Sequence, residues 1–290
     1  MLYLLLTSLL WGISFGLVKG QLQGIDPTAI ATVRMLIALA IFLPLLKSGN
    51  IGWPARMRLG AIGAVQFGLM YIFYLKSFAY LQAYEVALFT IFTPLYIVLI
   101  DALMERHWSN RFLVAAVLAA GGAAIVLDFT SMTHAHWMGF LLLQLSNLCF
   151  AVGQLAWRRE HKRLESAATD AQLFAIPYAG GFVATLIASA FITDWGSVVF
   201  TNNQILCVVY LGVVASGVCF FLWNVGAEKV NAGTLAVMNN AKIPVAVLIS
   251  LVVFREKADL ARLLIGGAVI GGGIWISNSG PKPGQSTAKS

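Results

Sequence analysis

The chain has 290 residues, 59% of them hydrophobic and 11% charged, with a mean hydropathy of +0.83. Water-soluble domains carry about 25% charged residues, so this composition excludes an ordinary soluble domain and describes an integral membrane protein. A net charge of +7 would suggest nucleic acid in a soluble chain, but here the basic residues sit in short loops between apolar runs and act as topology signals.

A spanning helix needs about 20 mostly apolar residues. Ten segments meet that length: 2–19, 27–46, 59–80, 84–104, 111–128, 137–157, 170–191, 204–226, 232–254 and 260–278. The first starts at Leu2 without a basic leader and lacks a convincing cleavage site after Gly20, so it reads as a retained helix rather than a signal peptide. Connections are short and leave no soluble lobe. The expected fold is an all-α membrane bundle of ten transmembrane helices. Cys149, Cys207 and Cys219 lie inside apolar runs without pairing or metal-ligand spacing and read as small core residues. No P-loop, kinase or dinucleotide signature is present, and neither a metal nor a cofactor is expected.

With the N-terminus in the cytoplasm, 12 of the 19 Lys and Arg residues fall on the inner side, 4 on the outer side (Lys19, Arg255, Lys257 and Arg262) and 3 within helices (Arg34, Lys76 and Lys242). The positive-inside rule therefore places both termini in the cytoplasm, with the loop from Arg158 to Arg163 as its strongest vote.

The stretch from Asn231 to Glu256 stands out, because it crosses the bilayer while carrying Asn239, Asn240, Lys242 and Pro244 at mid-depth, where polar groups are costly. It has an echo. Pro94 and Pro244 are 150 residues apart, Glu105 and Glu256 are 151 apart, and Gly121-Gly122 and Gly271-Gly272 are again 150 apart. Phe67, Tyr71, Tyr74 and Phe78 stand 149 residues before Ser216, Phe220, Trp223 and Ala227. Because each half holds five helices, an odd number, the halves must enter the membrane from opposite sides, as in secondary transporters. The expected division is a first repeat over 1–130, a second, inverted repeat over 131–279 and a disordered cytoplasmic tail over 280–290.

Trp11-Gly12-Ile13-Ser14-Phe15 with Lys19, then Arg34, then in each half a mid-helix proline followed by a glutamate and a glycine-rich closing helix, resemble the EamA-type carriers of the drug/metabolite transporter superfamily. The resemblance covers residues 3–278 and implies ten helices in two inverted halves in a bacterial inner membrane. Within that superfamily the chain looks most similar to exporters of amino acids, including the aromatic ones. The second half has no arginine equivalent to Arg34.

A carrier needs a water-accessible site near the midplane, and helical spacing gives candidates. In the sixth segment Gln144, Asn147 and Gln154 share a stripe that Trp157 continues. Tyr71 and Tyr74, with Gln66 beside them, and Trp223 in the eighth segment place a phenol or indole at depth, where it wants a polar partner. Ser14, Tyr96, Asn239 and Lys242 complete the substrate-binding candidates, with Pro94 and Pro244 as hinges. Lys242 either offers its charge to a carboxylate or phosphate or is structural, and Arg34 stands open in the same way. Glu105 and Glu256 read as interfacial ion-pair residues beside Arg106, Arg111, Arg255 and Lys257.

No acid occupies a midplane position, which favours a facilitative carrier or exchanger over a proton antiporter. The histidines His107, His134, His136 and His161 fall in loops, away from any catalytic grouping, so the chain is not expected to be an enzyme. The expectation is a monomeric inner-membrane carrier whose partners are the lipid bilayer and a small-molecule substrate, and which exports amphiphilic metabolites, chiefly amino acids, by alternating access. An exchanger of nucleotide sugars or phosphorylated metabolites, which would want more inward basic residues, and a drug–proton antiporter are the alternatives.

Overall fold

The computed structural model describes residues 2–47, 51–105, 114, 117–118, 121–122, 124–126, 133–164, 168–230 and 238–278. Among the described residues there are helices and turns and no strand. The helices are α1 (Leu2–Gln21), α2 (Pro27–Phe42), α3 (Trp53–Ser77), α4a (Ala83–Phe89) and α4b (Thr93–Glu105), then α5, described only at helical positions between 114 and 126, α6 (His134–Leu164), α7 (Asp170–Ile192), α8 (Asn202–Glu228), α9 (Lys242–Val252) and α10 (Leu260–Asn278). Seven are long and apolar enough to cross a bilayer, and two shorter apolar helices cover Met238–Val252 and Leu260–Gly273. The expected helix start at 232–237, the tail beyond 279 and the Arg106 and Arg111 ion pairs lie outside the described residues.

Helix starts follow from local chemistry. Asp26 caps α2 by accepting the Ala29 N–H at 2.8 Å, with Pro27 in the first turn. Reciprocal capping boxes pair Gln82 with Glu85 before α4a, Thr169 with Gln172 before α7 and Thr201 with Gln204 before α8. The segment Arg158–Arg163, expected as a loop, is the last turn and a half of α6. Basic residues there complement the C-terminal end of the helix dipole, and Glu160 on the same turns receives Arg58 of α3 at 2.7 Å.

Four interruptions shape the bundle. α3 winds as a π-helix over Ala64–Leu69 and α8 over Leu211–Val218. α4 breaks into a 3-10 turn at Thr90–Phe92, just before Pro94, and a turn at Ala241 precedes α9, just before Pro244. Each such break frees backbone carbonyls that must find donors away from water. At the first break the Thr93 N–H bonds Thr90 O instead of the Phe89 carbonyl, and Asn147 Nδ2 of α6 takes Phe89 O at 2.9 Å. Near the second, Ser8 of α1 donates to Met238 O.

The helices pack in definite pairs. α1 packs on α8 and α9, while α6 packs on α3 and α4; α2 packs on α7 and α8, and α7 on α3. The closest approaches use glycine. On α1, Gly12, Gly16 and Gly20 lie one turn apart, and Cβ atoms there would sit 2.8 Å from Val245, 2.3 Å from Phe254 and 2.2 Å from Phe254. Between α3 and α7 the fit is backbone to backbone, since a Cβ on Gly63 would lie 1.8 Å from Pro177 O.

Glu256 does not act as an ion-pair residue with its neighbours. Its carboxylate accepts the Ala83 and Tyr84 N–H groups at 2.9 and 3.2 Å and the Ser250 hydroxyl, so it caps the start of α4a from the α9–α10 connection. Four orphan N–H groups at a helix start attract a carboxylate more strongly than solvated side chains do.

Gly63 and Gly60 form a controlled pair for this packing. Gly63→Ala should lower the thermal midpoint in detergent, with a loss of about 1–3 kcal/mol from overpacking. Gly60→Ala, whose Cβ meets nothing within 4 Å, should leave the midpoint unchanged or raise it slightly.

Candidate functional site

A central cavity lies among α1, α2, α3, α4, α6, α8 and α9. Its volume of about 70 Å³ holds several water molecules and is well below the ~300–1,000 Å³ of typical ligand sites. The breaks in α4 and α9 both border it, through Thr90 and Thr93 on one side and Lys242 on the other.

The most constrained group in it is Arg34 of α2, 1% exposed. Nε donates to Ser216 Oγ at 3.0 Å and Nη2 to Tyr71 OH at 2.7 Å, while the guanidinium carbon stands 4.3 Å from the Tyr71 ring centroid. Tyr71 and Ser216 also contact each other, at 3.1 Å. Ser216 lies within the π segment of α8, and Tyr71 just past that of α3. Tyr178 of α7 fixes the same π segment by donating to the carbonyls of Ser216 and Gly217 at 2.8 and 2.6 Å. Nη1 of Arg34 is buried and has no hydrogen-bond partner among the described residues. A guanidinium carries five donors and cannot be deprotonated, so Arg34 presents a fixed positive charge and an unused donor nitrogen in a cavity that no described carboxylate lines.

Lys242, at the first turn of α9, is the second basic side chain of the cavity. Nζ donates to Asn239 Oδ1 at 3.0 Å and stands 5.4 Å from the Trp11 ring centroid. Trp11 in turn packs on Phe150, Phe220 and Trp223 at centroid distances of 6.3, 4.9 and 5.2 Å, and its indole N–H reaches Ala215 O at 2.9 Å. One wall is therefore aromatic and rigidly held, which suits a flat or hydrophobic molecular body.

Of the candidates read from helical spacing, Ser14, Tyr71, Tyr74, Asn147 and Lys242 line this cavity. Ser14 turns its hydroxyl onto Trp11 O, and Asn147 is largely committed to Phe89 O and Thr93 Oγ1. The other candidates lie elsewhere. Asn239 reaches the cavity only through Lys242. Gln66 bonds Asn224 at 3.3 Å between α3 and α8, and Tyr96 bonds Gln144 at 3.2 Å. Trp157, far along α6, donates to Glu228 at 2.9 Å and stacks on His161. Trp223 backs Trp11 rather than lining the cavity, and Gln154 is buried with its amide atoms unpartnered. Pro94 and Pro244 sit one turn or less beyond the two helix breaks. Spacing missed Trp11, Phe15 and Phe150, although Trp11, Ser14 and Phe15 follow one helical face.

A wider vestibule of about 690 Å³ lies where α1 joins α2, with Lys19, Phe78 and Asp26 in its wall. Between it and the central cavity stand Phe15, Tyr74 and Phe78, edge to face at centroid distances of 5.9 Å (Phe15–Tyr74) and 5.1 Å (Tyr74–Phe78). At the opposite end, His161 lies between Asp170 and Glu228 at 2.5 and 3.2 Å.

The profile of the EamA-like transporter family matches residues 1–128 and 137–279. The chain is 37% identical over 281 residues to a "Probable biotin transporter" of Pseudomonas aeruginosa, covering 97% of this chain and 98% of that one. It is 34% identical over 290 residues to a "Biotin transporter" of Escherichia coli (99% and 95% covered) and 34% identical over 278 residues to one of Salmonella typhimurium (95% and 92% covered). A crystal structure superposes with a TM-score of 0.66 over 95% of each chain at 20% identity, which shows a shared fold. With a family match over residues 1–128 and 137–279 and full-length relatives above 30% identity, around a helical bundle that encloses a central cavity lined by Arg34, Lys242 and an aromatic wall, this chain belongs to the EamA-like transporter family.

Proposed function

We propose that this protein is a bacterial inner-membrane carrier for biotin, and that Arg34 receives the substrate carboxylate. The observation that carries the reading is the unpartnered Nη1 of a fully buried arginine in a cavity with no lining carboxylate. Biotin joins a carboxylate tail to an uncharged bicyclic ureido–thioether. The tail suits the guanidinium, and the neutral ring system suits the wall of Trp11, Phe150 and Phe220. Relatives of nearly the same length bear the name biotin transporter, which supports this substrate over the amino acids expected from the sequence. An amino acid would also bring an ammonium group next to Arg34 with no acid to receive it, an arrangement that low dielectric makes costly.

Ten spans in two inverted repeats remain the architecture proposed. The two segments matched by the family profile, the two π segments 149 residues or less apart in start and end, and the exchange-symmetric contacts of α1 and α6 support it. The vestibule end faces outward and both termini face the cytoplasm, in keeping with the basic residues of α3 and α6 at the other end. Phe15, Tyr74 and Phe78 form the outer gate. Bending at the breaks before Pro94 and Pro244 widens the contracted cavity and switches access.

Counterflow of labelled biotin in proteoliposomes tests the substrate. Excess unlabelled biotin inside should drive transient uptake of label, biotin amide should compete poorly, and amino acids should not compete. Efficient counterflow of aromatic amino acids without biotin flux would overturn the reading. Arg34→Met should raise the half-saturating biotin concentration about 10- to 100-fold, the equivalent of one charge-assisted hydrogen bond at ~1.5–3 kcal/mol. Tyr71→Phe should cost about fivefold, because it removes one neutral contact that orients the guanidinium.

Sidedness is tested in intact cells on a background with Cys149, Cys207 and Cys219 replaced. A cysteine at Gln23 should react with a membrane-impermeant maleimide from outside. A cysteine at Lys162 should react only after permeabilisation, and the reverse pattern would invert the topology.

A further inference from the structure

The cavity pairs two cations of different kinds. Arg34 keeps its charge in any state, whereas a buried lysine exchanges its proton readily. Lys242 is 7% exposed, and its one hydrogen bond, to Asn239 Oδ1, serves an amine as well as an ammonium. Arg34, Tyr71 and Tyr74 are the other ionisable groups among the residues lining the cavity; α1, α4, α6 and α8 contribute neutral side chains, Trp11 being close to the amine. No carboxylate or histidine in that lining competes for a proton.

Electrostatics then links the proton to the anion. In the empty cavity an ammonium at Lys242 would be buried with no counterion among the lining residues. A bound carboxylate neutralises Arg34 and supplies the counterion that an ammonium at Lys242 lacks. Anion and proton therefore favour each other's binding, and by linkage the coupling is reciprocal. The cavity has room for several waters, which can exchange a proton with the amine when the site opens to one side.

We propose that Lys242 is the coupling group that carries one proton with each substrate anion, which makes the carrier an anion–proton symporter. This rests on the assignment of a monocarboxylate to Arg34. On the outer side the Nζ lone pair takes a proton from water, forming an N–H bond, as the carboxylate binds. On the inner side that N–H bond breaks, the proton passes to cytoplasmic water as the carboxylate leaves, and the neutral amine returns. One anion and one proton enter together, so the cycle moves no net charge. The absence of a midplane acid, which favoured a facilitator from the sequence, is then no bar to coupling.

The test uses the full-length protein in proteoliposomes with labelled biotin and the membrane potential clamped, with protein-free liposomes correcting for passive entry of the neutral acid. With the lumen one pH unit more alkaline, the wild type should accumulate biotin about tenfold over the outside concentration and lose it when a protonophore is added, since one pH unit is worth ~1.4 kcal/mol. Lys242→Met should lose that accumulation altogether, while its counterflow at equal pH falls but stays measurable at high biotin, because the ammonium no longer assists binding of the anion. Wild-type counterflow without any response to the gradient overturns the proposal. So does gradient-driven accumulation by Lys242→Met, or loss of counterflow in Lys242→Met when biotin still quenches its tryptophan fluorescence. Absence of wild-type counterflow and binding would instead remove the biotin assignment beneath it.

Discussion

A backbone carbonyl released inside a membrane-spanning helix has no water to bond, and much of this bundle's arrangement answers that constraint. Asn147 serves Phe89 O, Ser8 serves Met238 O, Trp11 serves Ala215 O, Ser146 serves Met70 O, and Tyr178 serves Ser216 O and Gly217 O. Each donor sits on a different helix from its acceptor, so each interruption also dictates a neighbour. α6 is held against the break in α4, and α1 against the start of α9 and the π segment of α8. The central cavity forms where these interrupted turns meet, because a π or 3-10 turn displaces side chains that a regular helix would pack together.

The same interruptions position the charge. Arg34 is held entirely by neutral groups, namely a hydroxyl from the α8 π segment and the phenol just beyond the α3 π segment. A carboxylate partner would have neutralised the arginine permanently and left the cavity uncharged. Neutral donors and acceptors fix its orientation and leave its charge available, at the cost of a buried cation whose compensation must come with a ligand. Under the proposed assignment of the substrate carboxylate to Arg34, the occupied state would be electrostatically easier to close than the empty one.

Helical spacing reads a face but not a depth, and the candidate residues divide along that line. Gln144, Asn147, Gln154 and Trp157 do share a stripe of α6, yet that helix has 31 residues, and only Asn147 of these stands at the level of the cavity. Trp157 sits more than two turns further along, where it meets Glu228 and His161. Gln66 lies within the π segment of α3 and Tyr71 just past it, so their regular spacing in sequence does not carry them to the same wall. The helical, membrane-spanning class was legible because hydropathy alone sets it. Mid-helix prolines marked the two breaks near Thr90 and Ala241, whereas the π segments left no comparable signal, since Gly, Val and Ala are also common in regular membrane-spanning helices.

Arg34 lines the cavity although the second half of the sequence has no arginine at the matching position. Judged by the repeat, an arginine without a counterpart in the second half looks incidental. The backbone, however, carries paired features: the π segments start 147 residues apart and end 149 apart, and the breaks at Thr90–Phe92 and Ala241 stand at a similar spacing. Specific recognition of a small asymmetric molecule needs side chains that do not recur. Phe89, Thr90 and Phe92 stand where the second half has Asn239, Asn240 and Lys242, and Arg34 projects from the first half into the cavity that Lys242 enters from the second. A ligand whose charge is felt by both is sensitive to how the halves sit relative to each other. Its binding energy can therefore act directly on the motion that carries it across.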